Sequence, residues 1–283
     1  MAEHDADLPD ALKGIFIPPQ PRLLQDIQNA QDNLDQVAKL ISSDPGVSAA
    51  VLKTINSPFY GLKREVSSAK QAVMLLGMNP VINLVRGLQL RAATVGQKSK
   101  VDLTPFWDTA QDTANIAAAV AKQMQFDMAD EAYTLGLFSN CGALLFAMND
   151  GSYIDNMKKA YSVGQKGIVE AENYLMKTSH ADLGFAVAQQ WKLPTRLADG
   201  IKLHHHVVKV LGSSDYEASF QNLLAVHKIA EHFALLFKRL GGQSSDAEFA
   251  VCKAAILEHF TMSETDFDDL RAAVTDVLGY LPS

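Results

Sequence analysis

Leu135-Gly136-Leu137-Phe138-Ser139-Asn140-Cys141-Gly142-Ala143-Leu144 is an apolar run punctuated by glycine, with two small polar residues, Ser139 and Asn140, at its centre. No strand precedes Ser139, and Gly-x-Ser-x-Gly is absent, so the serine is not the nucleophile of a strand-turn-helix elbow. Cys141 stands amid Leu137, Phe138, Leu144 and Leu145, where burial is expected to keep a thiol protonated and inert. The run reads as helix. So does nearly everything around it.

Working outward, start signals for helices recur. Asn33 with Gln36, Ser179 with Asp182 and Ser263 with Asp266 have the spacing of capping boxes. Asp44-Pro45 places a capping carboxylate before a proline at the first helical position, and Asn79-Pro80 and Thr104-Pro105 repeat the device. Ser67 to Gly77 predicts a capped helix closed by glycine. From Pro80, the residues Val81, Leu84, Val85, Leu88, Ala92 and Val95 form one apolar stripe. From Thr104, Phe106, Ala110, Ala114, Ala117, Ala121 and Met124 form another, whose small residues allow close helix approach. No alternating strand pattern persists. The fold class is therefore all-α. The expected organisation is a flexible tail over 1–16, an N-terminal helical lobe over 17–97, a polar connector at Gly96 to Asp102, and a second helical lobe over 104–283.

A chain of 283 residues buries enough surface to fold without disulfides or a structural metal. The formal net charge of -7, with no long basic run, argues against general binding to nucleic acid. Two isolated cysteines, Cys141 and Cys252, fit a reducing compartment. Met1 to Pro9 has no signal-peptide character and no apolar run reaches the length of a membrane span, so a cytoplasmic location and no membrane partner are expected. The glycines are scattered at helix ends, which excludes a Walker loop and a dinucleotide fingerprint.

Several segments, taken in order, closely resemble the HDOD domain, the HD-related output domain of bacterial signalling proteins. They are Ile17-Pro18-Pro19, Ser43-Asp44-Pro45, Asn56-Ser57-Pro58-Phe59-Tyr60-Gly61, the Leu76-Gly77 helix end, Trp191-Lys192-Leu193-Pro194 and Ile201-Lys202-Leu203-His204-His205. The resemblance covers almost the whole chain. It implies a small N-terminal helical lobe packed on a degenerate HD-type lobe. In HD-type metal phosphohydrolases the helix like Leu135–Leu144 reads roughly Gly-Leu-Leu-His-Asp-Ile-Gly. Ser139 holds its His position and Asn140 its Asp position. An earlier His of the pattern falls at Thr109, two residues after Trp107, and a later Asp at Glu231. His180, His204 and His205 remain of the metal-binding constellation.

That chemistry needs carboxylate charge to hold a divalent cation and imidazole to complete its shell. Thr109, Ser139 and Asn140 supply neither. His204 and His205 are adjacent, so on a helix they would point about 100° apart and could not both face one ion without another helix. His180 could give that help, for a two-histidine site. Asn140 offers only a neutral carbonyl, and Glu231 one carboxylate if it faces inward. No catalytic residue and no cofactor are expected, with a divalent metal at His180, His204 and His205 the one candidate. Each histidine also has a structural reading: His204 to His206 as partners of free carbonyls at a helix end, His180 as a helix-start residue, His227 as a bonded core residue. Asn56, Ser57, Tyr60 and Gly61 read first as turn chemistry, with Phe59 and Tyr60 as apolar anchors.

Function then divides. The favoured reading is a non-catalytic signalling module that binds a protein partner or small ligand in its HD-like cleft and the groove between lobes. No sensor or effector is fused to this chain, so its signal is expected to come by association. The alternative is a metal-dependent phosphohydrolase acting on a nucleotide or cyclic dinucleotide. A third is a structural adaptor. Phe260, Phe267, Leu270, Val274 and Leu278 could finish the core or form a homodimer face.

Overall fold

The computed structural model describes residues 15–56, 60, 62, 64–95, 101–162 and 167–282. Every regular element among them is a helix. The chain divides into two compact units. One contains residues 18–97 with 277–279, the other 1–17, 98–276 and 280–283. The tail before Ile15, the turn residues Ser57, Pro58, Phe59 and Gly61, and Gly96 to Lys100 of the connector lie outside the described residues.

The smaller unit holds α1 (Arg22–Asn29), α2 (Leu34–Ser43), α3 (Pro45–Ile55), α4 (Ala69–Leu76) and α5 (Met78–Val95). Its boundaries follow local chemistry. The Asn33 side chain accepts from Gln36 N, Asp44 from Val47 N and Ser68 from Gln71 N. Each meets a donor that the first helical turn leaves free. Gly77 closes α4 at φ 87°, a conformation that only glycine adopts without strain. Asn56 closes the turn after α3: its amide donates to Val66 O and accepts from Val66 N, both at 2.8 Å. This is the structural role expected of it.

Two readings of α5 need correction. The helix starts at Met78, so Asn79-Pro80 lies inside its first turn and does not cap it. A proline is tolerated there because its missing N–H would have no partner. The stripe also drifts. Val81, Leu84 and Val85 are buried, but Ala92 is exposed while Leu90 and Thr94 are inside.

The larger unit begins with α6 (Thr104–Gln123), α7 (Ala129–Phe138) and α8 (Cys141–Asn149). Thr104 is the first residue of α6 and not its cap; Asp102 accepts from its N–H. Then come α9 (Tyr153–Ser162), α10 (Ile168–Met176), α11 (His180–Gln190), α12 (Thr195–Leu203) and α13 (Val207–Leu211). The last elements are α14 (Ala218–Phe233), α15 (Leu236–Arg239), α16 (Ala247–His259) and α17 (Glu264–Leu278). Ser179 and Ser263 cap α11 and α17 as their spacing predicts.

The apolar run 135–144 is two helices and not one. Ser139 and Asn140 form the break between α7 and α8. Two glycines let this corner pack. A Cβ on Gly136 would meet the Ala114 Cα of α6 at 2.7 Å, and one on Gly142 would meet the His180 carbonyl oxygen of α11 at 2.0 Å. The packing of α6 against α7 and of α11 against α8 therefore rests on backbone contact. Phe267, Leu270 and Val274 are buried and complete the core of the larger unit; Leu278, in the stretch that belongs to the smaller unit, is buried as well, and Phe260 is half-buried.

Candidate functional site: a three-histidine cluster beside a filled anionic pole

Six elements of the larger unit deliver the site: the α7–α8 break, α10, the start of α11, the end of α12, the later part of α14 and the start of α16. His180 is the first residue of α11, held there by the Ser179 cap. His204 is the C-cap of α12, and His205 lies just past it. Because the chain leaves the helix at this point, the two neighbours do not diverge as they would within a helix. His180 Nε2 lies 3.2 Å from His204 Nε2 and 2.9 Å from His205 Nε2, so three imidazoles meet where two were expected.

Each ring is oriented from behind. His180 Nδ1 lies 2.7 Å from Glu172 Oε2, His204 Nδ1 2.6 Å from Ile201 O, and His205 Nδ1 2.7 Å from Glu248 Oε1. A carbonyl or carboxylate can only accept, so every Nδ1 carries the proton and all three Nε2 atoms face inward. Glu172 is fixed in turn by the His180 backbone N–H at 2.8 Å and the Tyr153 hydroxyl at 2.7 Å.

Charge is distributed unevenly. Burial opposes a charged His180, but Glu172 outweighs it and raises the imidazole above its ordinary value. Burial holds His204 and His205 well below theirs, helped at His204 by His205 and at His205 by Lys228, then at both by His180. His180 Nε2–H is thus the donor to two neutral acceptors.

The rest of the HD-like pattern lies at a second pole. Thr109 is buried on α6 with its hydroxyl turned back on its own helix, 2.7 Å from Pro105 O and 3.0 Å from Phe106 O. Its hydroxyl is thus spent on its own helix and hydrogen-bonds to none of the other candidates. Asn140 donates to Ser139 Oγ and to Glu231 Oε1, both at 3.3 Å. Glu231 does face inward, but it is occupied: Lys228 Nζ lies 2.5 Å from its Oε2. Lys228 also reaches Glu248 Oε1 at 3.0 Å. Burial alone would discharge this lysine; Glu231 and then Glu248 hold it charged, above its ordinary value. Burial likewise disfavours ionised Glu231, yet Lys228 and then His227 keep its carboxyl well below the usual range. His227 is the core histidine expected: it is fully buried with Nε2 3.3 Å from Glu231 Oε1, an ion-pair contact that lacks the alignment of a hydrogen bond.

Tested for a metal, the two poles give different answers. Once His180 gives up its Nε2 proton, its Nε2 stands 3.2 and 2.9 Å from the other two, within the spacing of about 2.9–3.4 Å that bonds of about 2.0–2.1 Å to one ion impose, and all three donor atoms lie within 4.8 Å of one another. Each donor also has the acceptor behind it that metal-bound histidines have. His180, His204 and His205 therefore fit a divalent ion of the late transition series. Thr109, Ser139 and Asn140 do not. Cys141 is buried, and burial pushes its thiol up to about 12, as expected for an inert residue.

Glu172, Glu248, Lys228 and Tyr153 were not legible as site residues. One signal was available for Lys228: a lysine inside the apolar run Leu223–Ala230 must be paired if that face is core.

An all-helical fold with a histidine cluster and a depleted His-Asp pole defines a degenerate HD-type domain. The HDOD domain pattern matches residues 17–207, and the chain belongs to the HDOD family. An uncharacterized protein of Treponema pallidum (strain Nichols) is 28% identical over 200 residues, covering 68% of this chain and 38% of that protein. The matched stretch is thus well under half of that relative's length. The fold is also similar to two solved structures. A Shewanella amazonensis SB2B protein, provisionally called a phosphohydrolase, is 24% identical with a TM-score of 0.66 over 93% of this chain and 91% of that one. A Marinobacter aquaeolei VT8 protein, provisionally called a signal transduction protein, is 20% identical with a TM-score of 0.61 over 93% and 59%. Among the described residues, no helix is long and apolar enough to cross a membrane.

Proposed function

We propose that this chain is a non-catalytic signalling module that binds a protein partner or small ligand and does not hydrolyse phosphoesters. One observation carries the reading: at the pole where HD chemistry needs free carboxylate oxygens, Asn140 supplies an amide donor and Glu231 is paired with Lys228. A metal ion lowers the pKa of bound water and polarises phosphate when its shell leaves positions open beside anionic ligands. Here the charged half of such a shell is bound to protein donors. The histidine cluster serves as a site for one divalent ion, which would tie α11 to the end of α12. That link gives the module a ligand-dependent element without turnover.

The convergence of His180, His204 and His205 favours a second reading, a phosphohydrolase with a histidine-only shell. Purified protein loaded in turn with Mn2+, Mg2+, Fe2+ and Ni2+ separates the two when assayed for phosphodiesterase and phosphatase activity. The expected result is stoichiometric binding of Ni2+, lost in His204→Ala, with no turnover above the metal-free control. Turnover that His204→Ala abolishes would overturn the non-catalytic reading.

A further inference from the structure

We infer that Lys228 is the resident cation of the pocket: its ammonium fills a site that would otherwise take a second metal ion bound by oxygen. The inference deepens the non-hydrolytic reading, because two-metal phosphoester chemistry needs both ions.

The ammonium is buried at 3% exposure and lies between two carboxylates on different helices, Glu231 of α14 and Glu248 of α16. Its distances of 2.5 and 3.0 Å are those of charge-assisted hydrogen bonds, and burial of Lys228 and Glu231, with Glu248 half-buried, sets the cluster apart from a surface ion pair. Glu231 contributes through Oε2 to Lys228 and through Oε1 to the Asn140 amide. Beside the lysine is a small cavity lined by Tyr161, Lys228, Glu231, Asp246 and Glu248, with room for about one water. Lys228 and Glu248 also line an open pocket of about 380 Å³, so an ion from solvent has a path to them. Removing the ammonium while keeping the chain's bulk would leave oxygens of Glu231 and Glu248 at a cavity that Tyr161 and Asp246 also line, with the Asp246 oxygens already accepting from His232 Nδ1 and Phe249 N, both at 2.9 Å. That is the donor set of a hard cation such as Ca2+, which takes oxygen ligands, and not of the imidazole cluster next to it.

Lys228→Met tests this, with Ca2+ alone as the probe because the histidines do not select it. Thermal unfolding of the variant is expected to rise by about 5 °C or more in about 10 mM Ca2+, while the wild type does not respond. Adding Glu231→Gln to the variant is expected to abolish the rise. A folded Lys228→Met protein that ignores Ca2+ overturns the inference. If Lys228→Met does not fold, the charge-balanced Lys228→Met/Glu231→Gln protein decides. Its folding supports the role as counter-cation, and its failure shows that Lys228 matters for packing and overturns the inference. Phosphoester turnover by the wild type would sink the functional reading and leave the Ca2+ result standing.

Discussion

Gly142→Ala should be far more damaging than one methyl group suggests. A Cβ at this position would stand 2.0 Å from the His180 carbonyl oxygen, 2.8 Å from Gly184 N and 2.9 Å from the His180 carbonyl carbon. All three are backbone atoms of α11, so no side chain can turn aside. Relief requires α8 and α11 to separate by about 1 Å or more, since non-bonded carbon contacts are comfortable only near about 3.5–4.0 Å. Overpacking a well-filled interior costs about 1–3 kcal/mol, and a clash with backbone alone belongs at or above the top of that range. At about 3 kcal/mol the melting temperature should fall by roughly 6–12 °C for a unit of this size. Gly151→Ala is the matched control: its Cβ would meet only Val101 Cγ1, at 3.7 Å, and the position is exposed. Its cost should be within about 0.5 kcal/mol of zero. Both tryptophans, Trp107 and Trp191, are buried in the larger unit, so tryptophan fluorescence during urea unfolding reports on it directly. The displaced carbonyl belongs to His180, so Ni2+ binding should weaken along with stability. Equal urea midpoints for Gly142→Ala and Gly151→Ala would refute the backbone-contact argument.

Metal-free protein should be most stable near or just above pH 6.5. His204 and His205 stay neutral in the folded state, so below their unfolded value of about 6.5 the unfolded chain binds more protons and stability falls with falling pH, by up to about 1.4 kcal/mol per pH unit for each. His180 acts in the opposite sense: its contribution is fully present below about 6.5 and is lost as pH rises through its raised folded value. Urea midpoints measured across this range would contradict the assignment if they were flat below pH 6.5 or still rising well into the alkaline range. In the smaller unit, Asn56→Ala should cost about 1–3 kcal/mol, because it strands both backbone groups of the buried Val66. Circular dichroism during urea unfolding measures this, and a loss under about 0.5 kcal/mol would show the clasp to be dispensable.

What could be read from the sequence was what local chemistry decides. Asn33, Asp44, Ser179 and Ser263 cap the helices that their spacing announced, because a cap involves only residues two or three apart. Asn79 and Thr104 failed for a related reason: an Asn-Pro or Thr-Pro pair permits a helix start but does not say whether the helix already runs. The stripe of α5 was read with one fixed face, although the helix from Val81 to Gly87 is buried on every side. At the site, the resemblance supplied His180, His204 and His205. Their convergence depended on where α12 stops, and a one-turn extension would have sent His204 and His205 apart. The partners that orient and charge the cluster lie 8, 20 and 43 residues from the groups they bind, as Glu172 to His180, Lys228 to Glu248 and His205 to Glu248. Only the packing of helices brings such pairs together.

The formal charges of the pocket say how many ions it can hold. With Asp246 paired to His232, the carboxylates Glu172, Glu231 and Glu248 are set against one fixed ammonium, Lys228, which leaves two negative charges once the three histidines are neutral. One divalent ion at the histidines cancels them. A second would leave two positive charges uncompensated in a buried space, and an unpaired buried charge costs several kcal/mol at least. With no ion bound, the proton on His180 makes up part of the deficit, and it sits at the point where the three Nε2 atoms meet. A single divalent ion and that proton therefore compete for one position, and Lys228 makes the competition one ion deep. Replacing carboxylate by amide at Asn140 and seating an ammonium against Glu231 work in the same direction: both remove negative charge from the pole where a second ion would have to stand.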